Sequence, residues 1–154
     1  MLIKPIRSLA NDLKFGLDKE LEVVDMLKLN FCELYNEDDI KNTKDLYQDE
    51  YYPYDYEGTS RGTCFEMKSR RVKKHQYSTT IIPVHKVRKT DKKQIFIFNF
   101  TDKCSYIEYD PVLFRTFQQR DITTERFGTI DKPKPHYLIP VRLLIDLVNV
   151  YKME

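Results

Sequence analysis

The chain has 154 residues, 41% hydrophobic and 13% aromatic, with only four glycines. That length buries one ordered core, and that composition excludes a linker or a disordered tail. The formal net charge of +2 excludes a uniformly basic or acidic protein, yet the charge is divided: residues 1–60 carry 7 Lys/Arg against 14 Asp/Glu, and residues 61–154 carry 19 against 10. No apolar run approaches membrane-spanning length and the N-terminus lacks a signal-peptide core. Cys32, Cys64 and Cys104 lie far apart and form no CxxC. These features predict a single intracellular domain over residues 1–154, with reduced thiols and no membrane contact.

Residues 9–30 have helical periodicity. Leu13, Leu17, Leu21, Val24 and Leu27 fall on one stripe, and Ser8 is placed as the N-cap of a helix running to about residue 31. At about 100° per residue, Glu20 projects inside that stripe, whereas Asp18, Glu22 and Asp25 point away from it. A carboxylate on a buried face is costly unless it is paired, protonated or bound to a metal. Glu20 therefore sits at the helix edge, pairs with a lysine such as Lys68, or is carried into a functional site. The acidic segment Glu37-Asp38-Asp39 follows as a loop or short helix.

The tyrosine-rich residues 46–56 read as strands interrupted at Pro53 and ending near Asp55. Gly58 to Gly62 supply a turn into Cys64-Phe65-Glu66-Met67-Lys68-Ser69, which alternates apolar and polar like a half-buried strand. Phe65 and Met67 share one face of that strand, Glu66 and Lys68 the other. Asp55 and Glu66 then lie on neighbouring antiparallel strands, close enough to share one cation. The acid-x-lysine triplet recurs at Asp12/Lys14, Asp39/Lys41 and Asp91/Lys93, but in polar surroundings that mark solvated charges.

Beyond Lys68 lies the densest basic stretch, Ser69-Arg70-Arg71-Val72-Lys73-Lys74-His75. Residues 79–89 admit two readings: the β-branched residues favour strand, and Pro83 suits the first turn of a helix. Residues 94–100 are apolar on both faces and predict a central strand, paired with a strand over residues 105–109. A short helix is expected over residues 113–119. Pro140 is expected to open a final helix over residues 141–151, with Leu143, Leu144, Leu147 and Val148 inward. No Gly-rich phosphate loop is present, and His75, His85 and His136 have no zinc-ligand spacing.

A helix bearing Glu, then Asp near a proline, then Glu-x-Lys on the next strand resembles the PD-(D/E)xK nuclease superfamily. The matching stretches are Gly16-Leu17-Asp18-Lys19-Glu20, Pro53-Tyr54-Asp55 and Phe65-Glu66-Met67-Lys68, within residues 9–100; Tyr54 intervenes where the family's Asp follows the proline directly. The chain looks most like the compact viral and phage members. The resemblance implies an α/β (α+β) protein with a restriction-endonuclease-like αβββαβ core, a central mixed sheet flanked by helices. It implies a Mg²⁺-dependent nuclease, an endonuclease for which Mn²⁺ can substitute, acting on DNA in preference to RNA. Glu20, Asp55, Glu66 and Lys68 would form the catalytic set, with Asp55, Glu66, the Met67 backbone carbonyl and Glu20 as metal ligands. Lys68 would orient the nucleophile and stabilise the pentavalent transition state.

Arg70, Arg71, Lys73 and Lys74 would carry phosphate contacts at the mouth of the site, unless they are a solvated charge run. Tyr77 and Lys86 fall where members of the superfamily place further polar groups on the second helix. Tyr51, Tyr52, Tyr54 and Tyr56 would stack on bases or pack in the sheet. A homodimer would set two such sites on two strands. The competing expectation is a catalytically silent module of the same fold that binds nucleic acid or a protein partner.

Overall fold

In the computed structural model of the chain, the described residues are 25–27, 40–43, 54–58, 62–126 and 128–147. They form a mixed α+β structure that is mostly sheet. β1 (Ile40–Asn42), β2 (Tyr56–Gly58), β3 (Thr63–Ser69), β5 (Lys93–Asn99), β6 (Cys104–Glu108) and β11 (Ile145–Asp146) make one six-stranded sheet in the order β1-β2-β3-β5-β6-β11. Every pair in it is antiparallel except β3 with β5, which run parallel from Thr63↔Lys93 to Ser69↔Asn99. β4 (Thr79–Pro83), β10 (Lys134–Pro140) and β7 (Gln119–Ile122) make a second sheet, β4-β10-β7. β8 (Glu125–Arg126) and β9 (Thr129–Ile130) pair as a small hairpin.

The expected central strand is β5, because apolar side chains at 95–98 serve both faces of the sheet. Ile95 and Ile97 pack with Phe65, Tyr56, Cys104 and Leu27, the last from helical residues 25–27. Phe96 and Phe98 face the other way and pack with Ile82 of β4, Ile139 of β10, Ile107 and Phe114. The main sheet thus separates two cores, and the second sheet covers one of its faces. At about 25 cal/mol per Å² of apolar area removed from water, these two cores supply the main drive for folding.

Residues 79–89 resolve as the strand β4 followed by a single 3₁₀ turn, Val84–Lys86, and not as the family's second helix. Thr79, Thr80, Ile81 and Ile82 are β-branched and fit a pleated surface, and Pro83 adopts an extended φ −60°, ψ 136° before the turn. The expected C-terminal helix is likewise corrected: Val141–Leu143 form one 3₁₀ turn, and Ile145–Asp146 pair with β6. Leu144 and Leu147 are buried as expected, on a strand-like path, and Val148 lies outside the described residues. The helix expected at 113–119 is the four-residue α1 (Pro111–Phe114), capped by Asp110, whose Oδ1 accepts from the Val112 and Leu113 amides. Among the described residues, no helix is long and apolar enough to cross a membrane.

Candidate active site

β2 pairs with β3 over only three positions, Tyr56↔Phe65, Glu57↔Cys64 and Gly58↔Thr63. Among the described residues no strand pairs with that side of β3 from Glu66 onward, and the candidate site forms there. The chain just before β2 bends at Asp55, whose amide donates to the Phe65 carbonyl at 3.1 Å. Its carbonyl accepts from the Thr43 amide at 3.0 Å and from the Thr43 hydroxyl at 3.1 Å; the same hydroxyl donates to the Tyr54 carbonyl. Thr43 is fully buried. Asp55 is thus held by its backbone from both sides, and its carboxylate turns onto β3, where Oδ2 accepts the Met67 amide at 2.9 Å.

In an extended strand a residue's N–H and C=O point to the same side. The Met67 carbonyl therefore faces the edge that carries the Asp55 carboxylate. Glu66 precedes it with a side chain only 7% exposed. Two ammonium groups reach Glu66 Oε1: Lys68 Nζ at 3.3 Å from the same face of β3, and Lys86 Nζ at 3.2 Å from the 3₁₀ turn after β4. The connection after that turn is fixed by the Gln94 side chain, which accepts the Arg88 amide at 2.9 Å and donates to the Arg88 carbonyl at 3.0 Å.

Burial pushes the Glu66 carboxyl above its ordinary range. The neighbouring Asp55 charge adds to the rise, and Lys86 and Lys68 oppose it without overcoming it. Two carboxylates and two lysines thus stand on one face of the sheet. Asp55 Oδ2 takes the Met67 amide, and Glu66 Oε1 takes the two lysines. Carboxylate oxygens suit Mg²⁺, a hard cation held by one or two carboxylates while keeping most of its water. Among the described residues no group of three or more His, Cys, Asp or Glu side chains is placed to hold a metal ion.

The structure brings together Asp55, Glu66, Met67, Lys68 and Lys86. Glu20 lies outside the described residues. Of the basic run, Arg71 and Lys73 are exposed, whereas two expected phosphate contacts point inward. Arg70 Nη2 donates to the Ile81 carbonyl at 2.5 Å, Nε lies 3.4 Å from Thr80 Oγ1, and the guanidinium sits 5.7 Å from the Phe98 ring centroid. Burial lowers its pKa. The Lys74 side chain is 6% exposed and bonds Asp146 Oδ1 at 2.5 Å. Both turn inward because the run crosses from one sheet to the other, where the core supplies partners that sequence proximity does not show.

Tyr77, by contrast, is 61% exposed. Sequence reasoning missed Thr43 altogether. No local signal marks it, since its partners Tyr54 and Asp55 are eleven and twelve residues away. The resemblance puts Lys86 on a second helix, whereas a 3₁₀ turn delivers it to Glu66. No family model, curated protein or solved structure matches the chain.

Proposed function

We propose that the chain is a Mg²⁺-dependent nuclease that hydrolyses phosphodiester bonds, in DNA before RNA, at this edge of β3. The observation that carries this reading is the convergence of Asp55, Glu66 and Lys68, with the Met67 carbonyl on the same edge. Asp55, Glu66 and the Met67 carbonyl would hold the cation, which when bound supplies charge stabilisation and an activated water. Asp55 is pre-positioned by Thr43 and Phe65, so its carboxylate need not reorganise to bind. Lys68 stands 3.3 Å from Glu66, where its ammonium orients the attacking group and stabilises negative charge on the transferring phosphate. Lys86 approaches from the opposite wall and is placed to bind a phosphate oxygen when a cation displaces it from Glu66.

The test is cleavage of single-stranded, duplex and branched DNA, with an RNA control, in Mg²⁺ or Mn²⁺ against EDTA. Lys68→Ala should abolish cutting, by three orders of magnitude or more in rate, while thermal denaturation shows an intact fold. Unchanged turnover in that variant would mean the site is elsewhere.

A second reading has one observation in its favour. Glu66 is already neutralised by two ammonium groups, so the site is charge-balanced without a cation. A folded protein that cuts nothing and gains no thermal stability from Mg²⁺ or Mn²⁺ would be the silent binding module.

A further inference from the structure

Two cavities lie side by side beyond the C-terminal end of β3, of about 280 and 460 Å³, and Tyr77 and Thr79 line both. Among the described residues no acidic side chain lines either cavity. Lys73 and Arg70 border the first; His75 and Arg142 border the second. Lys74 also lines the first, but its charge is answered by Asp146. Arg70 lines the first cavity but is held inward by the Ile81 carbonyl, the Thr80 hydroxyl and the Phe98 ring. The exposed Lys73 and Arg142 are then the cations that the two cavities offer to an anion. Tyr77, an aromatic ring 61% exposed between the two cavities, calls for something flat and apolar.

The placement relative to the candidate site is informative. Glu66, Lys68 and Arg70 alternate onto one face of the same strand, and the Arg70 amide extends the ladder by donating to the Asn99 carbonyl at 2.9 Å. Two residues of strand span about 7 Å. The trough therefore begins about 7 Å from Lys68 and runs away from it, past Tyr77, toward Arg142. A line of cations with one exposed ring is the combination that recognises a nucleic-acid single strand: charges track the phosphates and the ring stacks on an unpaired base.

Resting on the nuclease reading for the chemistry at Glu66, we infer that this trough binds a single-stranded segment of the substrate, Tyr77 stacking on a base and Lys73 and Arg142 facing phosphates. The substrates of the site are then single strands, or duplexes carrying an unpaired tail.

The test is fluorescence anisotropy in EDTA, where no cutting intervenes, with labelled twelve-nucleotide oligothymidylate, oligouridylate and a twelve-pair duplex. Wild-type protein should bind at least one single strand about tenfold more tightly than the duplex. Tyr77→Ala should weaken single-strand binding by roughly tenfold and leave duplex binding unchanged. Arg142→Ala should lower the slope of log affinity against log salt by about 0.7. Both side chains are exposed, so both variants should keep the wild-type melting temperature. Equal affinity for duplex and single strand, or Tyr77→Ala binding like wild type, would overturn the inference. Expected binding with no Mg²⁺-dependent cutting would keep the trough and remove the nuclease reading. Mg²⁺-dependent cutting of a single strand by Tyr77→Ala at the wild-type rate and affinity would do the reverse.

Discussion

At the residue scale, Glu66 holds the tension in the molecule. Its carboxyl is raised by burial and by Asp55, so the folded protein binds a proton there more readily than the unfolded chain does. Its contribution to stability is therefore fully present below the unfolded value of about 4.5 and is lost as pH rises through the folded value. Ionising that carboxyl opposes folding, which leads to a counter-intuitive expectation for Glu66→Gln. In EDTA that variant should melt at a higher temperature than wild type, and it should lose all stabilisation by Mg²⁺. A lower melting temperature in EDTA would mean that the two lysines outweigh the burial. Thr43→Val is the complementary case. It keeps the shape, removes the hydroxyl that holds the Tyr54 and Asp55 carbonyls, and should cost about 1 kcal/mol. Mg²⁺ affinity should fall with it, because Asp55 is no longer pre-positioned; a titration followed by melting temperature reads both effects.

At the scale of elements, the segment between β3 and β5 is the part that sequence made hardest to read. β5 and the Asp55/Glu66 pairing were legible because an apolar run and a strict alternation each have one good structural solution. Residues 79–89 were not, since Pro83 fits equally at a helix start and after a strand. The decision came from Ile82, whose place is opposite Phe96, Phe98 and Ile139 in a core that sequence alone does not assemble. Ile82→Ala should cost about 3 kcal/mol, measurable by urea denaturation. Residues 141–151 misled for a related reason: leucines three and four apart suit a helix, but Ile145 and Asp146 are taken by β6.

Asp146 also anchors the basic segment by accepting from Lys74 and from Ser105 Oγ at 2.6 Å. Burial pushes the Asp146 carboxyl up, but the hydrogen bonds from Lys74 and Ser105 and the charges of Lys74 and Lys103 outweigh it and hold it at about 2. A carboxyl held below its ordinary value contributes stability above about 3.9 that is lost as pH falls through 2. Asp146→Asn should leave the Lys74 ammonium buried without its counter-charge. It should cost about 2 kcal/mol at pH 7 and much less at pH 2, as acid and neutral denaturation curves would show.

Across the whole molecule, the proposed chemistry and the proposed binding fall on different elements. β3 presents Glu66 and Lys68 beside the Asp55 carboxylate, while the crossover from residue 70 to residue 92 builds β4, brings Lys86 back to Glu66 and walls the trough. The sequence carried the order of the acidic motif because that order is local to two neighbouring strands. It carried neither the pairing of Lys74 with Asp146, 72 residues apart, nor the approach of Arg142 to Tyr77. Contacts of that range depend on how the second sheet docks on the first, which composition and periodicity do not encode. The same division predicts independence: Lys68→Ala should leave oligothymidylate affinity within about twofold of wild type, because its loss changes one charge at the head of the trough.

The short pairing of β2 with β3 has a further consequence, for self-association. Past Phe65, no strand among the described residues pairs with this side of β3, and an unpaired edge invites a strand from another copy. Here the first available amide, that of Met67, is occupied by the Asp55 carboxylate. Charged side chains at 66 and 68 flank it. The residues read as a metal site are therefore also the plug that keeps two copies from zipping together. Asp55→Ala would remove a ligand and unplug the edge at once. Its first visible effect should be rising light scatter with concentration, before any assay of activity is made.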